Sequence, residues 1–144
     1  MVRRMNEKDI GAVADMEMKI FGVPWSKKTL EDCLNNNLYS IYVIEKDEEL
    51  AGYICFMAVA GELELLRIAV DSRFRRQGLA VILMEIMLEW ADENNIGDLT
   101  LEVRSRNYPA VNLYERYGFK PEGIRKKYYR NPDDDALIMW KRRG

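Results

Sequence analysis

The chain has 144 residues, 48% of them hydrophobic and 32% charged, with a formal net charge of −2. That length suits one domain over residues 1–144 with a single core, no apolar run approaches the roughly 20 residues needed to cross a bilayer, and near-neutral charge argues against a general nucleic-acid binder. The sequence contains no histidine, which removes Ser-His and Cys-His nucleophile systems and the commonest transition-metal ligand, so acid–base chemistry falls to carboxylates, tyrosines, lysines or thiols and no metal is expected.

The opening "MVRRMNEKDI" lacks the apolar stretch of a signal peptide, so a cytoplasmic location is expected. After a short first strand, Asn6 can cap a helix whose apolar positions Ile10, Val13, Met16 and Ile20 recur at near-helical spacing. "GVPWS" breaks it, and Ser26 can cap a second helix running to about Asn36. Cys33 falls in that helix and Cys55 in a later strand; two such cysteines make neither a disulfide framework nor a metal motif and read as reduced thiols.

From Tyr39 the pattern becomes an antiparallel meander: "SIYVIEK", a turn at Asp47 to Glu49, "LAGYICFMAVA", a turn at Gly61, then "ELELLRIAV". In the last of these Leu63 and Leu65 alternate with glutamates, whereas Leu66, Ile68 and Val70 continue one position out of phase. A β-bulge near Leu65 and Leu66 restores the facing. A helix with Leu79, Leu83, Ile86 and Trp90 on one face follows, then the strand "DLTLEVR" with Leu99, Leu101 and Val103 toward the core. Strand, helix, strand makes a right-handed crossover, so the strands ending at Val70 and Val103 are predicted to be parallel neighbours. Asn107 caps a short helix ended by Gly118, and "FKPEGIRKKYY" and "ALIMWK" close the fold as a hairpin.

Between the bulged strand and the long helix stands "DSRFRRQGLA". A helix start exposes N–H groups without intrahelical partners and carries partial positive charge; Gly78 lets backbone approach a ligand closely, Ala80 keeps the turn small, and the arginines add charge. A pyrophosphate suits such a place. The P-loop and dinucleotide glycine signatures are absent.

"RRQGLA" resembles the R/Q-x-x-G-x-G/A signature of the GNAT N-acetyltransferases, in the same position between strand and helix. The resemblance covers essentially the whole chain and implies an α/β fold with a central, mostly antiparallel sheet, one splayed parallel strand pair and helices on both faces. It implies acetyl-CoA as co-substrate. Its pyrophosphate would lie on Arg75, Arg76, Gln77, Gly78, Leu79, Ala80 and Val81, its pantetheine and thioester carbonyl on backbone groups of Ile68, Ala69 and Val70, with Asn107 a further contact.

"PWS" at 24–26, "LEVRSRN" at 101–107, "NLYERYGF" at 112–119 and "RKKYYRNPDDDALIM" at 125–139 are similar to the ribosomal-protein-alanine N-acetyltransferases within that family. This implies Glu102 as general base, Tyr114 as general acid, and a peptide groove flanked by Pro24, Trp25 and Ser26 on one side and Tyr128 and Tyr129 on the other. The implied acceptor is a protein N-terminus, that of a ribosomal protein. Arg106 stands where those enzymes usually carry serine. On the residues alone Tyr114 also reads as core, Asn107 as a helix cap, and Glu62 and Glu64 as other bases. A broader amine acetyltransferase and a non-catalytic acyl-CoA-binding module remain open readings.

Overall fold

The computed structural model describes residues 1–143. Seven strands form one sheet: β1 (Val2–Arg4), β2 (Tyr39–Lys46), β3 (Glu49–Val59), β4 (Glu62–Val70), β5 (Leu99–Arg104), β6 (Lys120–Tyr129) and β7 (Asp134–Lys141). The helices are α1 (Ile10–Ile20), α2 (Lys27–Leu34), α3 (Leu79–Glu93) and α4 (Tyr108–Arg116). The sheet order is β1-β2-β3-β4-β5-β7-β6, antiparallel throughout except for β4 and β5.

Local chemistry sets these boundaries. Asn6 and Asp9 form a reciprocal capping box around a 3₁₀ turn that leads into α1, and Ser26 Oγ accepts from Thr29 N–H to start α2. α2 ends at Leu34, two residues before the predicted stop. Asp47 and Glu48 both have positive φ, which a two-residue hairpin between β2 and β3 requires. Asn107 accepts from Ala110 N–H at the head of α4, and Gly118, at φ 92°, turns the chain after it.

Cores lie on both sheet faces. Leu63, Leu65, Leu99, Leu101 and Val103 face α3 and α4, while Tyr53, Cys55 and Ala69 face α1 and α2. The buried stripe of α3 is Leu79, Leu83, Met84, Met87 and Ala91, so Ile86 and Trp90 are only half-buried at its flank. Trp90 still packs edge-on against Phe56, with ring centroids 5.3 Å apart. A fully buried side chain such as Leu83 contributes about 2 kcal/mol by surface removed from water. Cys33 and Cys55 are both buried and free. No helix among the described residues is long and apolar enough to cross a membrane.

Two irregularities position the site. In the β3–β4 ladder Cys55 opposes Arg67 and Phe56 opposes Leu65, which leaves Leu66 as an extra residue. This is the predicted bulge, and it returns Ile68 and Val70 to the α3 side. The β4–β5 pairing then covers only Leu63↔Leu99, Glu64↔Thr100 and Leu65↔Leu101. Beyond Leu101 the two parallel strands part.

Candidate active site

The parted strands open a cleft of about 920 Å³, near the upper end of the range for small-ligand sites. One end is the start of α3. Gly78 has φ 77° and Arg76 φ 64°, and the first intrahelical bond runs from Ile82 N–H to the Gly78 carbonyl at 3.2 Å. The N–H groups of Leu79, Ala80 and Val81 therefore begin the helix without an intrahelical acceptor, where the helix dipole is positive. Space around the Gly78 Cα is open. Arg75 and Arg76 line the cleft here, and Arg75 Nε donates to the Val70 carbonyl at 3.3 Å. Gln77 is exposed and outside the lining.

Ile68, Ala69 and Val70 line one strand wall and Glu102 the other, with Tyr114 and Asn107 contributed by α4 and its cap. This end suits a diphosphate ester on an amide-bearing arm, since it combines unpaired helix N–H groups, two arginines and strand edges left without partners. Arg116, Ala110 and Leu113 of α4 also line the cleft. Sequence reasoning missed them, although their i, i+3 spacing around Tyr114 carries a signal.

Glu102 projects from β5 on the face opposite Leu101 and Val103, with its side chain 19% exposed. Arg125 Nε lies 2.9 Å from Glu102 Oε2 but out of line for a hydrogen bond, so that buried oxygen has no hydrogen-bond donor among the described residues. Glu64 stands one strand over; burial, then the charge of Glu102, raises its carboxyl above the usual range. Tyr114 is 5% exposed, and burial holds its phenol well above the ordinary tyrosine value. Tyr129 lines the cleft beside it and is pushed up to about 12 by burial and then by Glu102.

The other end of the cleft is framed by two loops, each held by an arginine. Arg67 of β4 lies between the rings of Phe21 and Trp25, at 4.2 and 4.7 Å, and donates to the Val23 carbonyl at 3.0 Å. Behind it Glu17 is fully buried, accepting from Tyr53 Oη and from Trp25 N–H at 2.7 Å, with Arg67 Nε 3.3 Å away. Burial and the charge of Glu17 keep the Tyr53 phenol protonated far above its usual value. Arg104 of β5 donates to the carbonyls of Arg130 at 2.7 Å and Pro132 at 2.5 Å and lies 4.6 Å from the Tyr129 ring centroid. The loops meet at Gly22, where a Cβ would collide with the backbone carbonyls of Arg130 and Asn131.

Of the predicted groove residues, Tyr129 is in the lining, whereas Pro24, Trp25, Ser26 and Tyr128 are not. Trp25 backs Arg67, Ser26 is occupied as the cap of α2, and Tyr128 is exposed. Phe21, Val23 and Arg67 take the wall instead. Glu17 was also missed; its signal is a carboxylate at the i+4 position from Val13, inside the apolar stripe of α1.

Residues 10–119 match the acetyltransferase (GNAT) family. A Bacillus subtilis (strain 168) protein, provisionally described as a [ribosomal protein bS18]-alanine N-acetyltransferase, is 41% identical over 140 residues, covering 96% of this chain and 93% of its own. The [ribosomal protein bS18]-alanine N-acetyltransferase of Escherichia coli (strain K12) is 31% identical over 140 residues, covering 96% and 94%. The crystal structure of the ribosomal-protein-S18-alanine N-acetyltransferase from Escherichia coli superposes with a TM-score of 0.91 at 29% identity, over 100% of this chain and 94% of that one. With its split β4–β5 pair, its open α3 N-terminus and relatives matching along nearly its whole length, the chain belongs to the acetyltransferase (GNAT) family.

Proposed function

We propose that this protein transfers the acetyl group of acetyl-CoA to the α-amine of a protein N-terminus, and that its acceptor is the N-terminal alanine of a small-subunit ribosomal protein, met in the cytoplasm. The observation that carries this reading is a single cleft with unpaired helix N–H groups at one end and Glu102 and Tyr114 within it. The names of the Bacillus and Escherichia relatives support the choice of acceptor.

Acetyl-CoA supplies the activated acyl carbon and a thiolate leaving group. The N–H groups of Leu79, Ala80 and Val81, with Arg75 and Arg76, would hold its diphosphate, and the edge of β4 from Ile68 to Val70 would orient the thioester. An N-terminal amine has a pKa of about 7.7–8.0, so near neutrality it arrives largely as ammonium. Glu102 takes one proton from that ammonium, leaving a neutral amine whose lone pair attacks the acyl carbon. The carbon–sulfur bond breaks, and the Tyr114 hydroxyl gives its proton to the departing sulfur. As the amide forms its nitrogen loses a second proton, which makes good the one Tyr114 gave to sulfur; the proton held by Glu102 leaves to solvent, so one proton is released per turnover.

The test is to incubate the protein with acetyl-CoA and peptides beginning Ala, Ser or Met, and to weigh the products. The expected result is one acetyl group on the α-amine, fastest for Ala. Equal rates for all peptides and for small amines would point to a broader acetyltransferase. Acetyl-CoA binding without any product would leave a binding module.

A further inference from the structure

Glu102 Oε2 is a buried acceptor without a hydrogen-bond donor, yet it has a cation beside it, Arg125 Nε at 2.9 Å. The arginine is an unusual occupant of that position. Its side chain is 58% exposed, it stands outside the cleft lining, and it comes from β6, at the edge of the sheet. The β6–β7 register breaks between Arg125 and Tyr129, and Lys127 has φ 54°, so this stretch of β6 is not locked into a regular ladder. A compact ammonium has three donors to aim at one oxygen, whereas the guanidinium here meets the carboxylate out of line.

We infer that Arg125 is a stand-in for the acceptor's ammonium: it occupies the Glu102 carboxylate while the cleft is empty and is displaced into solvent when the N-terminus enters. This rests on the reading of Glu102 as the base. Displacement takes part of the incoming N-terminus's binding energy, because the Arg125–Glu102 contact must break before the ammonium can take its place. Of the other charged and titratable groups, Glu64 from β4 and Tyr129 from β6 face Glu102, Arg67 from β4 and Arg104 from β5 stand by Tyr129, and β7 sets Ile138 opposite Glu102. Arg67 and Arg104 are held by loop carbonyls. Arg125 is the one arginine in this group whose removal leaves the loop anchors untouched.

The test compares wild type with Arg125→Gln, Arg125→Lys and Glu102→Gln, measuring kcat and KM for an alanine-initiated peptide and acetyl-CoA affinity by calorimetry. Arg125→Gln is expected to lower the peptide KM about threefold, the size appropriate to an exposed competing ion pair. It should also leave acetyl-CoA affinity unchanged, with Arg125→Lys, which keeps a cation at that place, staying near the wild-type KM. A peptide KM that is unchanged or raised in Arg125→Gln, or lowered equally in Arg125→Lys, overturns the inference. If Glu102→Gln turns over at the wild-type rate, the base assignment itself fails and takes this inference with it. A slow Glu102→Gln beside an Arg125→Gln that matches wild type sinks the stand-in alone.

Discussion

At the scale of single residues, the two groups proposed for proton transfer differ in how visible they are in sequence. Glu102 reads directly as the polar side of a strand whose other side is Leu101 and Val103, and the folded strand keeps that alternation. Tyr114 is ambiguous from its helix pattern, because a cleft-lining tyrosine and a core tyrosine occupy the same helical face. It is in fact both, packing against Phe119 with ring centroids 6.1 Å apart while lining the cleft. Since burial raises its phenol well above 10, it remains protonated across the working range. Tyr114→Phe should therefore lower kcat by roughly a hundredfold with acetyl-CoA affinity intact. The remaining activity should have the same pH profile as wild type up to about pH 10; a lost alkaline limb below that would show that Tyr114 titrates earlier than its burial allows. The Glu17–Arg67 pair was not legible, because its partners lie on α1 and β4 and meet only once the sheet is assembled. Arg67→Met leaves a carboxylate buried with two neutral donors, and should cost about 3 kcal/mol in a denaturant titration. Adding Glu17→Gln should return part of that loss, whereas simple additivity would mean that the two residues do not act as a pair.

At the scale of elements, the bulge in β4 and the start of α3 form one device. The extra residue Leu66 turns the remainder of β4 away from β5, and the chain then passes through Arg76 and Gly78, both at positive φ, into the helix. Phase-shifted leucines and a glycine beside arginines made both features readable, because each follows from local sequence. Met84, Met87 and Ala91 as the buried stripe of α3 were harder to find: that helix is apolar on several sides, and the packing of Phe56 and Leu63 decides which side faces inward. Gly78→Ala meets no neighbour but must hold a left-handed backbone, at a cost of about 1 kcal/mol in stability. If the backbone relaxes and withdraws one N–H from a charged ligand, acetyl-CoA affinity should fall about tenfold. Calorimetry giving wild-type affinity for this variant would show that the diphosphate is held elsewhere.

At the scale of the whole molecule, the α1–α2 layer is clamped to the sheet from two directions, by Glu17 and Arg67 inside and by Arg3 outside. Arg3 grips Asp9 through both terminal nitrogens, at 2.8 and 2.9 Å, and Glu45 through Nε at 2.7 Å. The Arg3 hydrogen bond, against the opposing effect of burial, holds the Asp9 carboxyl below its ordinary value. A depressed carboxyl stabilises the fold above its unfolded value, about 3.9, and the contribution fades as pH falls through the lower folded value. The Tm gap between wild type and Arg3→Gln should therefore be full at neutral pH and narrow below about pH 4. A gap that stayed constant with pH would mean that the clamp is not ionic. The closing hairpin was legible as a hairpin, and its two strands differ in character: β7 is apolar without a break from Ala136 to Trp140, as suits an interior strand beside β5, whereas β6 carries Arg125, Lys126 and Lys127, as suits an edge. Long-range packing seats Ala136 and Met139 of β7 in the interior.

That seating gives manufacture of the protein an order. β7 lies between β5 and β6, so the strand synthesised after both of them is the one that joins them. A polypeptide stopped before Asp134 would expose β5 along a raw edge and leave β6 unattached, an invitation to stick to other chains. Arg104 would also lack the Pro132 carbonyl it holds if the stop came ahead of that residue. Ribosomes that release this chain ahead of Asp134 would thus produce aggregate rather than a weakened enzyme.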